Sequence, residues 1–109
     1  MEKKSRVSAE DEIGIYEIAA AVATTIEGET GVNFLAISSK LTYNSTHQAR
    51  LLFAGILSSY GVQPGKIAQL IYKKTEIIEG FIAEFHAKLK KSEHFQQIVT
   101  KVKDSLTNK

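Results

Sequence analysis

The sequence predicts an all-α protein: a compact bundle of about six helices containing a helix-turn-helix, formed by one domain over residues 8–107 that follows a flexible segment over 1–7. Apolar residues recur at every third or fourth position along nearly the whole chain of 109 residues, which is the spacing of one face of a helix. One proline and seven glycines are too few to interrupt that pattern often. No segment shows the alternation of a β-strand, and the chain is long enough to bury a core.

The first helix is predicted to begin at Ser8, whose hydroxyl is suited to an N-cap. Its buried face is a series of apolar residues at helical spacing, namely Ile15, Ile18, Ala19, Val22, Ala23 and Ile26. Gly28 and Gly31 are expected to end this helix. Asn33 is then placed to cap a short second helix over residues 34–39.

A third helix is expected to begin at Asn44, with Ser45 and Gln48 in the spacing of a capping box. Its apolar residues cover a wide arc of the helix surface: Leu52, Phe53, Ile56, Leu57 and Tyr60. Such an arc is typical of a central helix that is buried on most sides. Gly61 is expected to end it.

Pro64 is suited to the first position of a short fourth helix that runs to about Ile71. A turn around residues 72–74 leads into a fifth helix over 75–90, for which the predicted buried residues are Ile77, Ile78, Phe81, Ile82, Phe85 and Leu89. Ser92 is expected to cap a sixth helix. The fourth and fifth helices, braced by the third, have the outline of a helix-turn-helix.

The composition excludes several classes of function. The chain has no cysteine, so it has no disulfide, no thiolate zinc site and no cysteine nucleophile. No apolar run is long enough to span a membrane and no signal core follows Met1, so we expect a soluble cytoplasmic protein. His47, His86 and His94 have no partners at metal-ligand spacing, and no phosphate-binding glycine loop or nucleophile elbow is present. We therefore expect no enzymatic activity, no metal and no cofactor.

The formal net charge of +2 combines two halves of opposite sign. Residues 1–34 contain three basic and seven acidic side chains, for a net charge of −4. Residues 35–109 contain eleven basic and five acidic side chains, for a net charge of +6. A basic region of this kind is consistent with a surface that meets an anion, of which nucleic acid is the commonest large example.

Basic residues flank the predicted helix-turn-helix. Lys73 and Lys74 lie in the turn, beside the positive end of the fifth helix, where cations and helix N–H groups both favour phosphate. Lys40 and Arg50 flank the start of the third helix, a second place where a DNA backbone can be held. The predicted DNA-contacting residues are Lys40, Arg50, Lys66, Lys73, Lys74 and Thr75.

Several stretches resemble the C-terminal DNA-binding domain of DnaA, the bacterial replication initiator. Residues 30–40, TGVNFLAISSK, are similar to the turn and short helix that open that domain. The Ala-Arg pair at 49–50 resembles the start of its long central helix, PGKIA at 64–68 resembles its next short helix, and 92–106 matches its terminal helix. The resemblance covers residues 12–106 and implies a Trp-repressor-like helix-turn-helix that binds double-stranded DNA in replication.

The motif with which the initiator reads bases, Arg-Asp-His-Ser/Thr-Thr-Val, corresponds here to KKTEII at residues 73–78. A lysine stands in place of the arginine, Thr75 is the nearest hydroxyl, and the Asp-His pair is absent. The initiator's ATPase domain is also absent. The resemblance therefore implies a stand-alone DNA-binding module with a degenerate recognition motif.

A protein-interaction module is the alternative that the sequence leaves open. The outward face of the fifth helix contains small and acidic residues, Glu76, Gly80, Ala83 and Ala87, where a DNA-reading helix usually presents basic or amide side chains. The sixth helix has a narrow apolar stripe between Phe95 and Leu106. Either surface is suited to a contact with a second copy or with another protein.

Overall fold

A computed structural model of the chain describes residues 12–107, and this part of the chain folds into six α-helices with no β-strand. The helices are α1 (Glu12–Thr30), α2 (Phe34–Ile37), α3 (Asn44–Ser59), α4 (Pro64–Ile71), α5 (Thr75–Leu89) and α6 (Glu93–Thr107). The predicted all-α bundle is therefore confirmed. The N-cap predicted at Ser8 and the flexible segment predicted over 1–7 lie outside the described residues.

The centre of the bundle is α3, which packs against α1, α2, α4 and α5. Every residue from Ala49 to Leu57 is buried, which confirms the expectation of a central helix. The core around it is apolar, and the only buried polar or charged side chains among the described residues are Thr46 and Arg50. A charged residue in this position needs partners, and they are described below.

The helix α6 closes the bundle by packing on α1 and, to a smaller extent, on α5. Phe95, Ile98, Val102 and Leu106 are each at most 6% exposed. The expectation that the stripe between Phe95 and Leu106 contacts a partner is therefore wrong. The apolar residues face the same chain's own α1 and α5, so no apolar seam is left on α6 for a second protein.

The contact between α3 and α5 depends on a glycine. A Cβ atom built on Gly55 would lie 2.0 Å from Cγ of Phe85, well inside the contact distance of two carbon atoms. The ring of Phe85 is 1% exposed and takes the space above Gly55. This contact holds α5 close to α3.

Local signals predicted several helix ends correctly. Oδ1 of Asn33 accepts a hydrogen bond from the Ala36 N–H at 2.9 Å, and Oγ of Ser92 accepts one from the Phe95 N–H at 3.1 Å. Pro64 is the first residue of α4, as expected.

Other expectations about the helices were wrong. No side chain caps α3, because Tyr43 occupies the N-cap position, so the capping box of Ser45 and Gln48 does not form. α1 continues through Gly28 and ends before Gly31, whose φ of +80° favours glycine. α2 is four residues long and does not extend to residue 39. Ile77, predicted to be buried on α5, is 47% exposed.

Candidate nucleic-acid interface

The helices α4 and α5 are joined by a turn of three residues and pack against each other and against α3. Tyr72 ends α4 in the left-handed conformation, with φ 59° and ψ 46°. The chain then reverses, and the Lys73 N–H donates to the carbonyl of Ala68 at 3.0 Å. The described part of the chain therefore contains the predicted arrangement of two helices, α4 and α5, joined by a tight turn and packed on α3.

The turn contacts the loop between α2 and α3. Nζ of Lys73 donates to the carbonyl oxygen of Ser39 at 2.5 Å, so that the turn and the loop lie side by side. The pKa of Lys73 is lowered by burial first, and then by the positive charges of Arg50 and Lys40. Three cationic groups from separate segments are therefore close enough to repel one another.

Lys40, Lys74 and Thr75 are exposed. Lys40 follows Ser39 directly in the chain, and Lys74 and Thr75 follow Lys73. Neither Lys40 nor Lys74 forms an ion pair with a residue in the described range 12–107. We refer to Lys40, Lys73, Lys74 and Thr75 as the basic cluster. α5 begins in this cluster without a side-chain cap, so its first N–H groups are available to an anion.

Arg50 does not belong to this surface, although the sequence placed it there. Its side chain is buried, 6% exposed, and its guanidinium donates to carbonyl groups of α2 and the following loop. The acceptors are Ile37 at 2.9 Å, Leu41 at 2.6 Å, Ser39 at 2.7 Å and Ala36 at 3.3 Å. Burial lowers the pKa of Arg50. With four bonds to the backbone, the guanidinium holds the loop and is not presented to a phosphate.

Lys66 also lies apart from the basic cluster. Its Nζ is 2.5 Å from Oε2 of Glu12, so the side chain bridges α4 and α1. The hydrogen bond and the charge of Lys66 lower the pKa of Glu12, and the same hydrogen bond raises the pKa of Lys66. Since the charge of Lys66 is offset by this carboxylate, it offers little to a phosphate.

The outward face of α5 is acidic. Glu76 directly follows Thr75 of the basic cluster, and Glu79 lies about one turn further along α5. Both are exposed, and neither has an ion-pair partner among the described residues. Glu84, further along α5, pairs with His47 of α3, whose Nε2 lies 3.2 Å from both carboxylate oxygens. A face of this charge opposes deep insertion into a groove lined by phosphates.

Two features of this region were missed by the sequence analysis. Leu41 and Tyr43 follow Lys40 in the loop and are 43% and 67% exposed. An aromatic side chain beside lysines is a pattern found in surfaces that bind nucleic acids, and this signal was readable in the sequence. The sequence also contained one indication that Arg50 is buried, because Arg50 lies within the apolar run from Ala49 to Leu57.

Two further properties concern the described residues only. No group of three or more His, Cys, Asp or Glu side chains between residues 12 and 107 is arranged to hold a metal ion. Over the same residues, no helix combines the length and the apolar character needed to cross a bilayer.

Comparison with protein-family models, with curated proteins and with solved structures finds no match to this chain. The resemblance to the DnaA domain therefore remains a prediction from the sequence.

Proposed function

We propose that this protein binds double-stranded DNA without catalysing a reaction, and that it does so by holding phosphates at the basic cluster. The observation that carries the proposal is the 2.5 Å contact between Lys73 and the Ser39 carbonyl. This contact brings the lysines of the turn and the lysine of the α2–α3 loop to one side of the start of α5. Phosphate contacts of this kind position a protein on a duplex.

The affinity is expected to be mainly electrostatic. Let K be the association constant for DNA. Each phosphate that the protein neutralises makes the slope of log K against log salt concentration more negative by about 0.9. The basic cluster has three lysines, Lys40, Lys73 and Lys74. The six residues that the sequence predicted also included two other cations, Arg50 and Lys66. With Arg50 buried and Lys66 paired, the expected slope is roughly −3.

Base readout is expected to be weak. Among the exposed residues that follow Thr75 on α5, Glu76, Glu79, Gly80 and Ala83 have short or acidic side chains, and a glutamate can accept a hydrogen bond only from the amino groups of cytosine and adenine in the major groove. The side chains best placed to touch DNA therefore contact the backbone, which is the same in every sequence. We expect binding with little sequence preference.

The experiment is a fluorescence-anisotropy titration of a labelled 20-base-pair duplex of mixed sequence at low salt. The double variant Lys40→Glu/Lys74→Glu is expected to lose at least tenfold in affinity. The matched control is Lys91→Glu/Lys103→Glu, which makes the same change of net charge at exposed lysines outside the basic cluster. Equal losses in both double variants, or no binding by the wild type at 50 µM, contradict the proposal.

The second candidate is a protein-interaction module that uses α5. Glu76, Gly80, Ala83 and Ala87 are all exposed, and a Cβ on Gly80 would meet nothing within 4 Å. This leaves space for another helix to approach. It requires a dimer in light scattering that Ala83→Arg dissociates, and a monomer that binds DNA argues against it.

A further inference from the structure

A groove of about 570 Å³ lies between α1 and α4, and at Tyr72 it adjoins Lys73 of the basic cluster without including it. Its α1 side is formed largely by the small side chains of Ala19, Ala20 and Ala23, and Phe34 of α2 also lines it. α1 packs mainly on α3 and α6 and α4 mainly on α5, while the lining residues Tyr16, Ala20 and Gln69 are exposed between the two helices. The Glu12–Lys66 ion pair bridges these two helices near their N-termini.

Two tyrosines in the lining of the groove are exposed to solvent. Tyr16 is 52% exposed and Tyr72 is 81% exposed. Tyr72 also has a φ of 59°, in a region of the backbone map that a residue with a Cβ seldom occupies and that glycine or asparagine occupies with less strain. An exposed aromatic side chain in this conformation adds little to the folded core, and its ring lines the groove. Strained residues of this type are concentrated at binding sites.

The charge around the groove is negative. α1 contains four glutamates and no basic residue. Two of them are neutralised, Glu12 by Lys66 and Glu29 by Lys101. Glu17 and Glu27 are exposed and have no ion-pair partner among residues 12–107, and Glu27 is part of the lining. The groove is therefore largely apolar, with the unpaired carboxylate of Glu27 in its lining and that of Glu17 beside the lining residue Tyr16 on the same helix.

We propose that this groove binds a basic amphipathic helix of another protein. Apolar side chains of that helix would lie over the alanines and between the two tyrosines, and its lysines or arginines would pair with Glu17 and Glu27. The lining on α1 extends from Tyr16 to Glu27, which is twelve residues and about 16 Å of helix, and this matches three turns of a bound helix. An apolar helix face in an apolar groove is a recurring mode of peptide recognition.

A second copy of this chain does not fit the groove as well. The apolar stripe of α6 is already buried, so it is not available to a neighbour. The exposed face of α5 contains Glu76 and Glu79, which the carboxylates of α1 repel. Duplex DNA is repelled for the same reason. We therefore assign the groove to a different protein of opposite charge; a second copy that binds through its own exposed lysines is the alternative that light scattering tests.

The probe is a fluorescein-labelled helical peptide of 14 residues, with leucines at the spacing of one helix face and lysines at the other positions. A second peptide has glutamate in place of every lysine. We expect the lysine peptide to bind in the micromolar range by anisotropy and the glutamate peptide to bind at least tenfold more weakly. Equal affinities for the two peptides, or no binding of the lysine peptide at 100 µM, overturn the proposal.

Two variants locate the site. Ala20→Gln places a longer, uncharged side chain in the lining of the groove, and Tyr72→Asn removes the aromatic ring with a residue that accepts the left-handed conformation. Each is expected to weaken binding of the lysine peptide at least fivefold. Unchanged affinity in both variants overturns the proposal.

Three controls separate this proposal from its alternatives. Thermal melting followed by circular dichroism checks that each variant is folded, and Ala20→Gln is expected to bind duplex DNA as the wild type does. Light scattering tests for a dimer, and a dimer that Ala20→Gln dissociates overturns the proposal in favour of a second copy.

Discussion

Arg50 shows how one side chain changes the candidate site. The sequence suggests a phosphate ligand, but the guanidinium is directed at backbone carbonyls of residues 36–41. No carboxylate accompanies it within the described residues, so its positive charge is balanced only by carbonyl dipoles. The charge is still felt at the surface, where it contributes to the lowered pKa of Lys73. Arg50 therefore influences the basic cluster without being part of it.

We expect Arg50→Met to lower the free energy of unfolding by about 2–4 kcal/mol, because it leaves buried carbonyl groups without donors. Urea unfolding followed by circular dichroism measures this. The control is Lys40→Met, at an exposed lysine, for which a change within about 0.5 kcal/mol is expected. A stable Arg50→Met variant that has lost DNA affinity would instead support the role that the sequence suggested.

The Glu12–Lys66 pair gives a pH-dependent prediction. The pKa of Glu12 is lowered, chiefly by its hydrogen bond to Lys66, so the folded state binds this proton less readily than the unfolded state. The resulting stabilisation is present above the ordinary pKa of a glutamate and is lost as the pH falls through the folded pKa. In Lys66→Met the pKa of Glu12 should rise towards its ordinary value.

Carboxyl-detected NMR titration of Glu12 measures this shift. The difference in stability between the wild type and Lys66→Met should also shrink on acidification. A Glu12 titration that is unaffected by the substitution would show that the pair does not form in solution.

At the residue scale, the sequence predicts best where the partner is near in the chain. Asn33 and Ser92 bond to N–H groups three residues away, so their types and spacing are sufficient. The acceptors of Arg50 lie 9 to 14 residues away, and Lys73 bonds to Ser39 across 34 residues. These contacts exist only after α2, α3 and the turn have packed together, which no local pattern contains. The surroundings of Arg50 and Lys73, two of the six predicted site residues, therefore could not be predicted from the sequence.

At the element scale, the contact between α3 and α5 sets the position of the candidate recognition helix. Gly55→Ala would place a methyl group 2.0 Å from Cγ of Phe85, so either the ring or the helix must move. Overpacking of this kind costs about 1–3 kcal/mol. We expect a lower free energy of unfolding by that amount in urea unfolding.

The matched control is Gly80→Ala on α5, where the new methyl group would meet nothing within 4 Å. Alanine is favoured over glycine in a helix by up to about 1 kcal/mol, so this variant should be more stable than the wild type. Because the two glycine-to-alanine substitutions should change the free energy of unfolding in opposite directions, the comparison distinguishes a packing effect from helix propensity. If both variants are stabilised, α5 does not pack on Gly55 as described.

The helices also differ in how well the sequence predicts their ends and their buried faces. Both ends of α4 were predicted correctly, since Pro64 favours the first position and a turn was expected around residues 72–74. The end of α1 was misplaced because Gly28, a poor helix residue, is carried through by the packing of the rest of the helix. Ile77 and Ile78 are adjacent, and only the observed rotation of α5 shows that Ile78 is the buried one.

At the scale of the whole molecule, the charge division along the sequence becomes two separate surfaces. The acidic half forms α1 and one side of the groove, and the basic half supplies the basic cluster. The two meet at the turn, where Tyr72 lines the groove and Lys73 belongs to the cluster. A net charge of +2 describes neither surface.

The carboxylates of α5 oppose the basic cluster, and this opposition gives a gain-of-function prediction. A unit charge about 6 Å from a phosphate in water interacts with it by about 0.7 kcal/mol, or roughly threefold in affinity. Glu76→Gln/Glu79→Gln should therefore raise the affinity for duplex DNA about tenfold at low salt. This gain in affinity should fall as salt is added, since the Debye screening length of the solution is near 3 Å at 1 M salt.

Glu93→Gln/Asp104→Asn on α6 is the control for net charge alone, since it also removes two negative charges, and it is expected to change the affinity less than twofold because both residues are exposed on a helix outside the basic cluster. The decisive measurement is the pair of anisotropy titrations across a salt series. Equal gains from α5 and α6 would show that DNA senses only the overall charge, and a loss from the double variant would show that the glutamates contact bases.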